Sequence, residues 1–186
     1  MLQKQMMMLI FGSVVLSNAC LANYTKPTLY QPFSHAPLKK DLYVYGTLKG
    51  SCHLQSNIDQ RNDAWQCTSM GKIYDPCFKH PYGDPHELIC PTSPWSKKSI
   101  KIITKNVLDN KEHLQLDMSQ NPPWAMELTD GTHCLSEPSE GKTPHNYKCQ
   151  HHQTLSGKLF RCKGTWKISR KDHDSIDFAE VKRAWF

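Results

Sequence analysis

No two cysteines in this sequence stand three positions apart, so the CxxC spacing of structural zinc sites and of thioredoxin-like redox motifs is missing. GxSxG, the phosphate-binding P-loop and the dinucleotide fingerprint are missing too, which lowers the prospects of those enzyme classes. There is no internal repeat, and few apolar patterns reach helix length. Outside the N-terminus no apolar run approaches the roughly 20 residues that a membrane-spanning helix needs.

What is present begins with MLQKQMMMLIFGSVVLSNACLANYTKP: one lysine, an apolar run from Met6 to about Leu16, then small and polar residues. This is the layout of a secretory signal peptide, expected over residues 1–22 with cleavage after Ala22. Cleavage after Ala19, which keeps Cys20, is the alternative, and Cys20 as a lipidated N-terminus is a lesser one. The expected location is therefore secreted or periplasmic. Residues 23–40 carry three prolines and little periodicity and read as an extended leader; 41–186 reads as a single disulfide-rich β domain. Lys4 is the one charged residue before Asn23, so its removal lowers the formal charge from +6 to +5. A mildly basic exported chain leans toward anionic glycans, lipid headgroups or another polyanion, and the ten histidines add charge in an acidic compartment.

Seven cysteines follow Ala22: Cys52, Cys67, Cys77, Cys90, Cys134, Cys149 and Cys162. In an oxidising compartment disulfides are the expected state. Six cysteines allow 15 connectivities. The pairing of neighbours is the expectation: Cys52 with Cys67, Cys77 with Cys90, Cys134 with Cys149, each closing a polar, turn-rich segment. A loop of about 15 residues closed in this way contributes roughly 3 kcal/mol. Trp65, Tyr74 and Phe78 are expected to pack beside the bridges. Cys162 is left over, as a buried free thiol, an intermolecular link or a partner for Cys20, the first being preferred.

The fold class expected is mostly β, a small disulfide-stapled antiparallel domain with long loops. DLYVYGTLKGSC from Asp41 alternates Leu42 and Val44 against Tyr43 and Tyr45. SIKIITKNVLD from Ser99 is β-branched. WAMELTDGTHC from Trp124 places Trp124, Met126 and Leu128 on one face before an Asp-Gly turn. TLSGKLFRCKGTWKISRK from Thr154 reads as two strands broken at Gly164, and the tail DFAEVKRAWF as a terminal strand. Between Ser51 and Ser96 the expectation is cysteine-bearing loop.

Several of these segments come in a familiar order: GSC at Gly50, DAWQC at Asp63, IYDPCF at Ile73, CPTSPW at Cys90, PWAMELTDGTHC at Pro123, NYKC at Asn146 and TWKI at Thr165. Their order resembles that in a group of secreted bacterial proteins without established activity, from about Tyr43 to the C-terminus. The resemblance implies a bacterial, exported protein. It includes six of the cysteines, which supports the neighbour pairing, and supplies no catalytic residue; Cys162 is an addition, and Lys72 stands where Asn is expected.

Candidate chemistry is sparse. HELIC, His86 to Cys90, copies the first half of a zinc-protease motif but ends in Cys, and Pro85 and Pro91 leave room for one helical turn. His133, His145, His151 and His152 would converge on a metal only if the Cys134–Cys149 bridge gathered them, and solvated loop histidines are the simpler reading; no metal and no cofactor are expected. Asp75, Glu127, Asp130, Glu137 and Glu140 are available as paired carboxylates, unranked. A basic ribbon from Lys158 to Lys171 has interleaved aromatics, for which a solvated strand face over a Phe and Trp core is the simpler reading and an anion-binding face the functional one. Its candidate ligand-binding residues are Lys158, Arg161, Lys163, Trp166, Lys167 and Arg170, with Arg161 and Lys163 expected to share a strand face. The functional expectation is an exported non-catalytic binding module presenting a basic surface to an anionic envelope or host component. The alternative is a secreted hydrolase with a His or carboxylate site on the loops.

Overall fold

The computed structural model describes residues 24–33, 42–137, 146–150, 154–172 and 175–186. The expected signal peptide therefore lies outside the described residues. The regular elements among those described are strands: β1 (Lys26–Thr28), β2 (Tyr43–Gln55), β3 (Ala64–Ser69), β4 (Lys72–Lys79), β5 (Glu87–Pro91), β6 (Lys98–Thr104), β7 (Ala125–Leu128), β8 (His133–Ser136), β9 (Asn146–Cys149), β10 (Thr154–Cys162), β11 (Thr165–Asp172) and β12 (Ser175–Trp185). No helix among them is long and apolar enough to cross a membrane. The chain is a disulfide-stapled β protein, as its composition predicts.

The strands make two closed sheets. β2 to β6 form a five-stranded meander whose first and last strands pair. A meander alternates direction at each step, so five strands must close with a parallel pair, and β2 runs parallel to β6 from Tyr43 opposite Lys98 to Gly50 opposite Thr104. The second sheet, β7 to β12, has six strands and closes antiparallel, β12 on β7. β1 joins it as a parallel neighbour of β12.

β2 serves two partners in turn, β6 up to Gly50 and β3 from Ser51 onward. The change requires close approach: a Cβ on Gly50 would stand 2.6 Å from the Thr68 carbonyl oxygen and 2.9 Å from Ile102. Only glycine fits there. The β10–β11 turn is Lys163-Gly164, with φ of 43° and 88°, the pair of left-handed conformations that a two-residue hairpin needs.

The segment from Ser51 to Ser96 is not loop, as expected, but carries β3, β4 and β5. Its strands are short, and cysteine, tryptophan, serine and proline share their buried positions with Phe78, Leu88 and Ile89, so no run of Val or Ile marks them. The bridges consequently join neighbouring strands. Cys52 bonds to Cys67 and Cys134 to Cys149 across directly opposed register positions, and Cys77 bonds to Cys90 between β4 and β5. Cys162 is free but exposed, not the buried thiol expected, because it ends β10 beside an open turn.

Each barrel has its own interior. Trp65, Leu88, Ile102 and Leu108 surround the first two bridges, with Tyr74 packed against that cluster; Met126, Leu128, Leu155, Ile168, Val181 and Phe186 pack around the third. A further cluster of Tyr30, Ile58, Ala64, Phe78, Trp124, Ala125 and Trp185 takes side chains from both barrels and from the segment after β1. Burying several aromatics at this seam makes it a hydrophobic junction and not a flexible hinge.

Candidate functional site

The basic ribbon maps onto the β10–β11 hairpin, where three of its six cations, Arg161, Lys167 and Arg170, are already engaged. Trp166 is buried, and the Arg161 guanidinium lies 4.7 Å above its ring while Nη2 donates to the Asn121 carbonyl at 2.6 Å. Partial burial lowers the pKa of Arg161 from its ordinary value. Lys167 pairs with Glu180 at 3.1 Å across β11 and β12, and Arg170 with Asp130 at 3.7 Å. Lys163 does not share the face of Arg161; it forms the hairpin turn. The side chain of Lys158 lies outside those described. Phe160 and Phe178 meet edge to face at 5.5 Å on the outer surface of this sheet.

The carboxylates separate by environment. Asp75 accepts hydrogen bonds from Ser56 Oγ, the Asn57 amide and Gln66 Nε2. Burial nevertheless dominates and raises its pKa to about 6. Asp59 is 1% exposed, and its Oδ2 has no hydrogen-bond partner. Burial pushes its pKa up to about 7; Arg61, 3.9 Å away, offsets part of this, while Asp63 and Asp75 add repulsion. A carboxyl so enclosed has no route to a substrate. Glu127 pairs with Lys182 at 2.6 Å. Hydrogen bonds from Thr132 lower the pKa of Asp130. Glu137 is exposed, and Glu140 lies outside the described residues.

Of the four histidines expected to converge, His133 alone lies among the described residues. His133 stacks on Trp95, centroids 4.4 Å apart. His145, His151 and His152 lie outside the described residues. HELIC falls on β5, so the helix that a zinc-protease motif needs does not form. Among the described residues, ligand-type atoms gather within 4.8 Å at Cys67, Cys77 and Cys90, but all three sulfurs are tied up in disulfides.

Among the described residues, several concavities open to the surface. One, about 650 Å³, lies between the segment after β1, the Arg61–Asp63 turn and the chain that follows β6, and includes Asp63 and Arg61, which bind each other through two hydrogen bonds of 2.8 and 2.7 Å. A second, about 540 Å³, lies on the outer face of the first barrel between Phe33, His80 and Tyr82 on one side and Thr47, Glu87 and Lys101 on the other. A third, about 500 Å³, follows the parallel seam: Lys49, Gly50 and Ser51 of β2 against Ile103 and Thr104 of β6, closed by Lys105 and Asn106. It has two lysines and no acid in its lining, and neither lysine has an ion-pair partner among the described residues.

Sequence reasoning passed over Lys49 and Lys105. Their signal is alternation: in YGTLKGSC the outward positions of a strand include Thr47 and Lys49, and in KSIKIITK they include Lys101 and Ile103. Only the parallel closure of β2 on β6 sets the two segments side by side. No known protein family, curated protein or solved structure matches this chain, so its likeness to a secreted bacterial group rests on the quoted motifs alone.

Proposed function

We propose that the protein is an exported, non-catalytic binding module whose basic surface takes an anionic group of an envelope or host component. The observation that carries this reading is the seam concavity of Lys49 and Lys105, a recess whose two ammonium groups have no ion-pair partner among the described residues and whose wall holds no carboxylate. Three disulfides suit an oxidising compartment. The basic ribbon contributes less than its composition implies, since Lys167 and Arg170 face Glu180 and Asp130. Two cations in a concave wall focus potential where surface charges scattered among acids do not.

The test is retention of the intact oxidised protein on dextran sulfate and on vesicles containing phosphatidylglycerol, across a salt series. Retention should fall steeply as salt rises. The Lys49→Glu, Lys105→Glu pair should elute at distinctly lower salt than the parent, and lower than a Lys163→Glu, Lys167→Glu pair. Equal retention of the seam variant and the parent would overturn the proposal.

A further inference from the structure

The second and third concavities lie end to end on one sheet face. Thr47 and Lys49 are two residues apart on β2, hence on the same outward side and about 7 Å apart. Opposite them on β6 stand Lys101 and Ile103 in the same order. The exposed face is thus a single track that starts among aromatic rings and ends at two lysines.

The aromatic end is held in shape by its own backbone. Tyr82 N–H donates to His80 Nδ1 at 3.0 Å, and Gly83 N–H to the His80 carbonyl at 3.3 Å. Gly83 sits so close that a Cβ there would meet His80 Cβ at 2.8 Å. Phe33 packs edge-on against the His80 ring at 4.7 Å. Because Nδ1 accepts a hydrogen bond, the neutral imidazole carries its proton on Nε2, which is buried and has no hydrogen-bond partner among the described residues. Tyr82 itself is 92% exposed, a large flat ring held up on a fixed turn and left uncovered by the other described residues. Facing it, Lys101 and Glu87 pair at 2.7 Å while both stay partly open.

We infer that this track binds an acidic oligosaccharide, with one sugar ring stacked on Tyr82 and the anionic substituent of a neighbouring unit at Lys49 and Lys105. The inference rests on the anion-binding reading above and names the class of ligand for it. A pyranose ring has an apolar face of C–H groups and a rim of hydroxyls. The first matches an exposed tyrosine ring, and the second matches a carboxylate and ammonium that can each take one more hydrogen bond. A lone phosphate or lipid headgroup would use the lysines and leave Tyr82 idle. Holding the ring on a rigid turn limits the ordering cost of binding.

The experiment is calorimetric titration of the intact oxidised protein with short oligogalacturonate, with a sulfated chondroitin oligosaccharide and with inorganic polyphosphate. Tyr82→Ala should weaken at least one oligosaccharide by about tenfold and leave polyphosphate unchanged, whereas Tyr82→Trp should retain binding. Lys49→Ser with Lys105→Ser should weaken both the oligosaccharide and polyphosphate. If Tyr82→Ala matters for neither saccharide while the lysine variant still loses polyphosphate, the saccharide inference is overturned and the anion reading stands. If the lysine variant loses nothing, or the parent binds none of the three probes, both fail.

Discussion

Arg61 Nη1 donates to the main-chain oxygen of Phe186 at 3.1 Å, linking residues 125 positions apart across the junction of the two barrels. The same guanidinium donates to the Tyr30 carbonyl, grips Asp63 with Nε and Nη2, and lies 4.9 Å over the Phe78 ring. Arg61 is 5% exposed, so removing it strands buried carbonyls and leaves an uncompensated cavity.

Arg61→Met should therefore destabilise the protein by about 3 kcal/mol or more, read as a lower urea midpoint. Arg61→Lys should not restore the parent value, because one ammonium cannot reproduce a planar fork of donors. An unchanged midpoint in Arg61→Met would show that the junction does not depend on this residue.

Asp59 and Asp75 set the pH dependence. Their folded pKa values, about 7 and about 6, stand above the ordinary 3.8. Between about pH 4 and 7 the folded chain keeps protons that the unfolded chain has released, so stability should fall as pH rises through that window and level off above it. Asp59→Asn should be more stable than the parent at pH 8, on the order of 2 kcal/mol, and similar to it at pH 4. A parent whose midpoint rises from pH 4 to 7 with no effect of Asp59→Asn would refute this assignment.

The sulfurs of Cys67, Cys77 and Cys90 lie within 4.8 Å of one another. In a Cys52→Ala variant the freed Cys67 thiolate stands beside the Cys77–Cys90 bridge and can attack it, forming one S–S bond as another breaks and one thiol leaves. Peptide mapping after incubation at pH 8 should find Cys67 joined to Cys77 or Cys90. Recovery of the Cys77–Cys90 peptide alone would count against this exchange.

Cys162 should react with iodoacetamide in the native oxidised protein, while the six bridged cysteines do not. Labelled peptides containing Cys162 but no bridged cysteine are the expected result. Protection of Cys162 would mean that its surroundings differ from those described.

Sequence alone made the β class and the ends of several strands legible. Alternation in DLYVYGTLKGSC and SIKIITK, the Asp-Gly turn and the break at Gly164 are local signals, and local signals survive in a single sequence. β3, β4 and β5 escaped because cysteine, serine and proline break up their buried positions, and Pro76 interrupts the pattern of β4. The ribbon from Lys158 to Lys171 was visible as composition, but the acids that meet it, Glu180 on β12 and Asp130 in the turn after β7, are distant in sequence from most of it or set beside it only by the fold. Lys49 and Lys105 were invisible as a pair for the same reason: what joins them is a long-range parallel register.

The parallel pairing of β2 with β6 is the one joint of the first barrel that no hairpin ties together, since the rest of the meander runs between those two strands. It is where such a cylinder would unzip. Lys49 sits on one lip of that joint and Lys105 just past the other. A guest gripped by both would act as a clasp, and occupancy would then harden the barrel against heat and force as well as mark a target.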